Sequence, residues 1–333
     1  MSNVAVFGAG SWGSAFALVL ADARNDVVMW TRRPELADTI NDTRVNPDYL
    51  PGVVLPDRVR ATHEPKDALA DADVVVLAVP SQSLRQNLKQ WAGDIRPGAV
   101  VLSLMKGVEL GTAKRMTEVI QEVAEIPAER LAVLTGPNLA REIAARQPAA
   151  SVIACRDEQV AALLQRRCHT KSFRPYTNSD VVGCELGGAT KNVIALAVGA
   201  AIGLGFGDNA TASVITRGLA ETTRLGVALG ARRDTFAGLA GLGDLVATCS
   251  SPLSRNRGFG ERLGRGESVA EIMATSREVA EGVMSCESIR DLAGRTGVEM
   301  PIVDEVAALV RGELTPQETL ARLISRAAKS ERD

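Results

Sequence analysis

An otherwise apolar stretch of the chain contains one amine that could do proton chemistry. Residues 185–207 read ELGGATKNVIALAVGAAIGLGFG, with Lys191 and Asn192 set among small and apolar side chains. Burying an ammonium group without a partner is costly, and the usual response is a lowered pKa and loss of the proton. We therefore predict that Lys191 donates and accepts a proton. The alternative is a lysine whose stem packs on a helix while its amine reaches solvent.

Lysine is uncommon in this chain, which makes the few lysines informative. Of the 38 lysines and arginines, seven are lysines. Arginine keeps its proton at working pH, whereas lysine can release it. Lys106 follows the apolar run AVVLSLM at 99–105 and is the second candidate. The alternative for Lys106 is a loop lysine in solvent.

Two polar segments in the second half of the chain could hold a small substrate. Asp244 lies in the glycine-flanked loop AGLGDL, where it could bond a substrate hydroxyl or orient Lys191, or else cap a turn or helix. The loop SPLSRNRGFG contains Ser254, Arg255 and Asn256. Adjacent hydroxyl, guanidinium and amide donors suit a phosphate monoester through charge-assisted hydrogen bonds. A polar surface loop is the alternative for this segment.

A glycine-rich turn near the start of the chain predicts a dinucleotide site. Gly8, Gly10 and Gly13 form GxGxxG between an apolar strand and a helical stretch. In this context the first glycine permits a tight turn, the second lets the backbone approach a pyrophosphate, and the third lets helix and strand pack closely. A glycine turn without a ligand is the alternative.

The end of the second predicted strand bears on the choice of cofactor. NAD-preferring sites usually have an acidic residue there, whereas MWTRRPE at 29–35 presents Arg32 and Arg33. Arginine suits a 2′-phosphate or stacks on adenine. We therefore expect NADPH, with NADH possible, unless both arginines are merely solvated.

Short apolar runs alternate with helical stretches through the first half of the chain and predict an α/β fold. Helical patterns lie between most of the runs, as at Ser11–Asp22 and Thr112–Ala124. This alternation is typical of a doubly wound, Rossmann-type parallel sheet, in which ligands bind beyond the carboxyl ends of the strands. The predicted strands are 3–8, 26–30, 73–80, 99–105, 130–136 and 151–155.

The pattern becomes helical after Asp180, which is a plausible N-cap for a long helix to about Leu204. Thr315, followed by proline and then by Glu318, predicts another helix start. We therefore predict a dinucleotide-binding domain at 1–180 and an all-helical substrate domain at 181–330. The long helix is expected to join them.

Composition excludes several classes of function. A net charge of −2 gives no general attraction to nucleic acid. The apolar run 193–206 is shorter than the roughly 20 residues that span a bilayer, so no membrane insertion is expected. The first strand begins by Val4 and leaves no room for a signal peptide, and the five cysteines lack CxxC spacing. We expect a cytoplasmic protein without a metal site.

Eight segments, taken in order over nearly the whole chain, resemble one family. They are GAGSWGSAFA, WTRR, AVPSQ, KGVE, TGPNLAREIA, ELGGATKNVIALAVG, GLGDLVATCSSPLSRNRGFGERLG and VAEGV. As a set they resemble the bacterial type of NAD(P)-dependent glycerol-3-phosphate dehydrogenase. The resemblance implies reduction of dihydroxyacetone phosphate, a phosphorylated three-carbon ketone, to sn-glycerol 3-phosphate for glycerophospholipid synthesis. It also suggests a homodimer.

The resemblance also implies roles for individual residues. Lys191 matches the family's proton donor and acceptor, and Asn138 stands where many members have serine. The implied substrate-binding residues are Lys106, Gly136, Asn138, Lys191, Asp244, Ser254, Arg255 and Asn256. The implied cofactor-binding residues, beside the glycine turn, are Ser11, Trp12, Arg32, Arg33, Lys106, Ala140, Arg255, Val279 and Glu281.

Two other functions remain open from the sequence alone. One is a dehydrogenase of similar build that acts on a hydroxy acid or a sugar nucleotide, although the Ser254–Asn256 segment favours a compact phosphate. The other is a dinucleotide sensor without catalysis, which would not need Lys191, Lys106 and Asp244 in addition to the glycine turn.

Overall fold

The computed structural model of the chain describes residues 3–275, 280–325 and 330. Within them the strands are β1 (Asn3–Phe7), β2 (Asp26–Trp30), β3 (Val45–Asn46), β4 (Leu50–Val54), β5 (Val59–Thr62), β6 (Val74–Leu77), β7 (Val100–Ser103), β8 (Leu131–Thr135), β9 (Ala149–Cys155) and β10 (Phe173–Asn178). The α-helices of the first half are α1 (Ser11–Asp22), α2 (Pro34–Thr43), α3 (Pro65–Leu69), α4 (Leu84–Trp91), α5 (Met116–Ala124), α6 (Ala140–Ala144) and α7 (Glu158–Cys168). Those of the second half are α8 (Val181–Gly203), α9 (Asp208–Ala228), α10 (Arg233–Ala237), α11 (Asp244–Ser250), α12 (Arg255–Gly264), α13 (Val269–Thr275), α14 (Glu281–Thr296), α15 (Pro301–Val310) and α16 (Pro316–Ile324).

Eight strands form one sheet in the order β10-β9-β8-β7-β6-β1-β2-β5. All six strands predicted from the sequence are present, and the Rossmann-type α/β fold is confirmed. Both faces of β1 are buried: Val4 and Val6 pack in one apolar cluster, and Ala5 and Phe7 pack in another. Helices cover both faces, which explains why the strands read as continuous apolar runs.

The sheet departs from the prediction at one point, because β8 and β9 are antiparallel. The connection between these strands contains one helix, α6, of five residues. A parallel crossover usually carries a helix that packs along the sheet, and a helix of five residues spans only about 7 Å. The chain instead enters β9 from the edge at which β8 ends, and β9 and β10 run opposite to the rest of the sheet.

The described residues after Asp180 are helical and pack around α8. The predicted N-cap is confirmed, since the Asp180 carboxylate accepts hydrogen bonds from Gly183 N at 2.9 Å and Arg232 N at 2.8 Å. The predicted cap at Thr315 is confirmed as well. Helix α8 alone among the described helices is long and apolar enough to cross a membrane, but 83% of its apolar window is buried in the protein. The domain division at 180/181 stays a prediction.

Candidate active site

The glycine turn between β1 and α1 has the shape of a dinucleotide cradle. Gly8 has φ +117°, and a Cβ there would lie 2.5 Å from Ala78 O. A Cβ on Gly13 would overlap the carbonyl oxygen of Gly8, whereas a Cβ on Gly10 would meet open space. Gly10 is the N-cap of α1, with no side-chain cap and no acidic residue in the first turn. The helix therefore offers its first amides and its positive end to an anion, as pyrophosphate binding requires.

Arg32 and Arg33 follow β2, which is the neighbour of β1 in the sheet. Arg33 forms an ion pair with Asp48, and its guanidinium lies 5.9 Å from the centre of the Tyr49 ring. Arg32 is exposed. Both arginines are thus beside the glycine turn, at the edge where the adenosine end of a dinucleotide would lie.

Trp12 and Ser11 form the first turn of α1. The Trp12 ring lies 5.5 Å from the Phe16 ring, centre to centre, and the partly buried indole packs against the core. Its indole nitrogen is buried and has no hydrogen-bond partner among the described residues. Ser11 and Trp12 both lie next to Gly10, where the predicted cofactor contacts would be made.

Lys191 lies in a buried cluster of charges. Its Nζ forms an ion pair with Asp244 and donates a hydrogen bond to Thr248 Oγ1 at 2.7 Å. Lys106 Nζ reaches the other carboxylate oxygen of Asp244 at 2.7 Å. Lys191 is 7% and Asp244 1% exposed. One carboxylate therefore bridges two amines that come from distant parts of the chain.

Burial and charge set the proton affinity of Lys191. Burial is the main cause that lowers its pKa, and the neighbouring Lys106 ammonium lowers it further, while Asp244 opposes both. The result is a pKa of about 7. The neighbouring cation that lowers this pKa is thus Lys106. An amine with this pKa can give up and regain a proton at neutral pH.

Asp244 is positioned by a helix rather than by the loop expected from the sequence. A π-helical turn, Leu239–Gly243, runs directly into α11, of which Asp244 is the first residue. A Cβ on Gly187 would overlap the carbonyl oxygen of Ala240, so a glycine in α8 lets this turn approach closely. Insertions of π geometry are frequent at functional sites because they redirect side chains.

The Ser254–Asn256 segment is also helical rather than a loop. Ser254 is the N-cap of α12, and its Oγ accepts a hydrogen bond from Arg257 N at 3.3 Å. Asn256 Nδ2 donates to Asn192 Oδ1 at 3.0 Å, and Asn192 Nδ2 donates to Lys106 O at 3.3 Å. This chain of amides joins the start of α12 to the Lys106 backbone.

Arg255 and Glu281 lie close to the charge cluster. Burial raises the pKa of Glu281, and the Arg255 guanidinium, together with Lys106 and Lys191, opposes that rise. Both predicted cofactor residues are therefore within electrostatic reach of the two lysines. Val279, predicted to be a cofactor contact, lies outside the described residues.

The segment after β8 completes the site. Gly136 has φ +129°, and its carbonyl accepts a hydrogen bond from Lys106 Nζ at 3.1 Å. Asn138 Oδ1 accepts from Ser151 Oγ at 2.5 Å, and its Nδ2 is buried without a partner among the described residues. Ala140 begins α6. Asparagine in place of serine thus keeps an uncommitted donor here.

Sequence reasoning missed the role of Thr248 and the connecting role of Asn192. Thr248 lies one helical turn after Asp244 and donates to its carbonyl at 2.7 Å, so the i, i+4 spacing could have identified it. Asn192 was noticed beside Lys191, but its contacts with Lys106 and Asn256 are long-range. Among the described residues no cluster of histidine, cysteine and carboxylate side chains could hold a metal ion.

The glycine turn, Lys106 and Gly136 follow β1, β7 and β8 at one edge of the sheet, and Lys191 reaches that edge from α8. A dinucleotide cradle at the same edge of the sheet as an amine that can release its proton is what a nicotinamide-dependent dehydrogenase requires.

Comparisons with known proteins agree with this class. Residues 3–161 match the profile for the NAD-dependent glycerol-3-phosphate dehydrogenase N-terminus, and residues 180–321 match that for the C-terminus. The chain belongs to this family. It is 64% identical to the glycerol-3-phosphate dehydrogenase [NAD(P)+] of Streptomyces coelicolor over 330 residues, which cover 99% of this chain and 98% of that protein. It is 61% identical to the glycerol-3-phosphate dehydrogenase [NAD(P)+] of Thermobifida fusca, and the match covers 100% of this chain and 99% of that protein.

A solved structure supports the same assignment. The crystal structure of glycerol-3-phosphate dehydrogenase from Coxiella burnetii superimposes with a TM-score of 0.94 at 35% sequence identity. The superposition covers 98% of this chain and 99% of the Coxiella burnetii chain. The similarity therefore extends over both the sheet and the helices around α8.

Proposed function

We propose that the chain reversibly reduces dihydroxyacetone phosphate to sn-glycerol 3-phosphate, with Lys191 as proton donor and acceptor. The chain is an NAD(P)-dependent oxidoreductase that acts on a CH–OH group, as its family membership and full-length similarity establish. The observation that supports the role of Lys191 is its buried contact with Asp244, together with a pKa of about 7.

The residues of the chain account for the proton transfer and for the orientation of the substrate. A bound nicotinamide supplies or removes the hydride. Lys191 in its ammonium form donates a proton to the alkoxide oxygen that develops on reduction, and in its neutral form it removes that proton in the reverse direction. Asp244 and Thr248 hold the amine in place through their hydrogen bonds with Nζ.

The surrounding cations and donors suit a phosphate. When Lys191 is in its ammonium form, the three cations Lys106, Lys191 and Arg255 outnumber the carboxylates of Asp244 and Glu281. This excess of positive charge would attract a phosphate monoester, which the cations can bind through charge-assisted hydrogen bonds. We assign it to the start of α12, with Ser254, Arg255 and Asn256, and assign substrate contacts to Gly136 and Asn138. These assignments also favour a phosphorylated ketone over a hydroxy acid.

NADPH is the expected cofactor because Arg32 and Arg33 can meet a 2′-phosphate, with NADH as the possible second. The product would enter glycerophospholipid synthesis in the cytoplasm. The homodimer implied by the family resemblance is tested by light scattering of the purified chain.

The purified chain is mixed with NADPH and dihydroxyacetone phosphate, and the decrease in the absorbance of the reduced cofactor is measured. Lys191→Ala is expected to lower kcat by roughly 10²-fold or more, the scale of general acid–base catalysis. Lys171→Ala, at an exposed position, is the matched control and should leave kcat unchanged. A Lys191→Ala enzyme with nearly normal kcat would contradict the assigned role. Turnover of unphosphorylated ketones alone would indicate a different dehydrogenase, and no turnover by a folded sample would indicate a sensor.

A further inference from the structure

One stripe of α8 faces the part of the chain that precedes it. Glu185, Gly188 and Asn192 have the i, i+3, i+7 spacing that aligns side chains along a helix. A Cβ on Gly188 would lie 3.0 Å from Thr135 Oγ1 and 3.3 Å from Lys106 Cγ, and Asn192 donates to Lys106 O. The adjacent stripe carries Lys191. The contacts of the first stripe therefore determine how α8 presents its lysine.

Glu185 makes the strongest polar contacts of this stripe. Its carboxylate accepts hydrogen bonds from Thr117 N at 2.8 Å, Thr117 Oγ1 at 2.7 Å and Arg115 Nη1 at 2.6 Å. The side chains of Glu185 and Arg115 are 4% and 14% exposed. The carboxylate thus bonds the first turn of α5 and neutralises a nearly buried guanidinium. Removing one member of such a pair leaves the other without compensation.

The segment that Glu185 binds is the segment that carries Lys106. Residues 106–117 start with Lys106 and end in the first turn of α5. Between these ends, Arg295 in α14 donates to the carbonyl oxygens of Gly111 at 3.0 Å and Thr112 at 2.5 Å. The segment is therefore attached to α8 at both ends and to α14 in the middle. Of the described contacts between this segment and α8, that of Glu185 combines opposite charges with burial.

We propose that Glu185 is a positioning residue for proton transfer: by binding Arg115 and Thr117, it fixes α8 against the 106–117 segment. Lys106 is thereby held against Asp244, and Lys191 is kept out of water. This inference rests on the proposed role of Lys191. Glu185 contacts neither the glycine turn nor the charge cluster, so it acts only through the placement of α8.

Loosening this contact has a definite effect on Lys191. The groups that face its amine are Asp244 and Cys249 from α11, Lys106 from the segment, and Glu281 from α14. If water enters, the burial that lowers the pKa of Lys191 becomes weaker. If Lys106 withdraws, Lys191 loses a neighbouring cation, and the Asp244 carboxylate then interacts with Lys191 alone. All three changes raise the pKa of Lys191, and burial, which water entry relieves, is the largest influence on that pKa.

The test is the pH dependence of ketone reduction by Glu185→Gln in a single turnover, so that product release does not mask the chemical step. Reduction needs the ammonium form, and its rate falls above the pKa of Lys191. A rise of about 0.5 in the midpoint would increase the ratio of the rates at pH 9 and pH 6 by about threefold. We expect at least that increase. The affinity for NADPH should change by a smaller factor, because the glycine turn is untouched and Lys106 is one of several implied cofactor contacts.

Glu221→Gln is the matched control. Glu221 is another buried carboxylate that bonds the start of a helix, accepting from Ile302 N of α15 at 3.0 Å, but α15 carries none of the charge cluster. The Glu221→Gln variant should leave the pH dependence of ketone reduction unchanged. A wild-type profile in Glu185→Gln, or an equal change in both variants, would overturn the proposal.

A second variant covers a failure of Glu185→Gln to fold. Arg115→Lys keeps the charge but loses the planar fork, and it should move the profile in the same direction by a smaller amount. An unchanged profile in a folded Arg115→Lys enzyme would count against the proposal. Loss of the proposed function itself is seen separately, as normal kcat in Lys191→Ala.

Discussion

At the scale of single residues, the cofactor end of the site contains an unexpected anion. The sequence presents Arg32 and Arg33 as a pair for a 2′-phosphate, yet Asp48 forms an ion pair with Arg33 and raises the pKa of its guanidinium. The Asp48 carboxylate therefore offsets one of the two positive charges. A dianionic 2′-phosphate must compete with it, whereas a ribose hydroxyl need not.

Asp48→Asn should shift cofactor preference towards the phosphorylated form. An exposed ion pair is worth at most about 1 kcal/mol, which corresponds to about a fivefold change in affinity. We expect NADP+ to bind up to about fivefold more tightly and NAD+ binding to stay unchanged, as measured by calorimetric titration at low salt. Asp57→Asn is the control, because Asp57 is exposed and lies 3.9 Å from a different arginine, Arg44. Equal effects on both cofactors would rule out a charge effect at the 2′ position.

At the scale of elements, α8 owes its composition to close packing. A Cβ on Gly199 would overlap the carbonyl oxygen of Arg257, and one on Gly203 would overlap that of Glu261. In the facing helix α12, a Cβ on Gly260 would overlap the carbonyl oxygen of Leu196. The two backbones therefore touch along their glycines. The small residues in the second half of α8 therefore serve packing, whereas Lys191 lies in the first half of the helix.

Gly199→Ala should destabilise the protein although alanine favours helices. An exposed Gly→Ala change in a helix usually adds about 0.5–1 kcal/mol of stability. At Gly199 the new methyl group must push α12 away, and overpacking of this kind costs about 1–3 kcal/mol. Gly294→Ala in α14 is the matched control, because a Cβ there meets nothing within 4 Å. Urea unfolding should give opposite signs for the two variants, and equal signs would contradict the packing argument.

The sequence predicted the buried elements well and the edge elements poorly. The six predicted strands are apolar runs in the sheet, whereas β5 reads VRAT and β10 reads FRPYTN. Both lie at sheet edges, where one side needs no strand partner and where arginine and proline are tolerated. Asp244 was expected in a loop because glycines surround it, but those glycines form a π-helical turn that leads into α11.

At the scale of the whole molecule, the site depends on contacts that the sequence does not encode locally. Lys106 and Asp244 are 138 residues apart, and Arg115 and Glu185 are 70 apart. Residue types and motif order were sufficient to predict that Lys191, Lys106 and Asp244 lie close together, and their contacts confirm this proximity. The sequence could not predict that two lysines share one carboxylate, nor the proposed role of Glu185, because both depend on how α8 packs against the sheet.

Buried carboxylates of the helical region should also give the whole fold a recognisable pH dependence. Burial raises the pKa of Glu221 from 4.5 to about 7, against the opposing hydrogen bond from Ile302 N. Between these values the folded chain keeps a proton that the unfolded chain has lost. The contribution of Glu221 to stability is therefore complete below pH 4.5 and is lost as the pH rises through about 7.

Glu221→Gln removes this titration, since glutamine is neutral at every pH. The free energy of unfolding of the variant relative to wild type should therefore increase between about pH 5 and pH 7 in urea titrations and level off by about pH 8. Glu313→Gln is the control, because the Arg311 guanidinium lowers the pKa of the Glu313 carboxyl below 4.5 and its contribution is already complete above that pH. Its difference from wild type should stay flat over the same range. If the difference between Glu221→Gln and wild type also stays constant with pH, the Glu221 carboxylate is ionised over the whole range. Its hydrogen bonds to α15 would then lower its pKa by more than burial raises it.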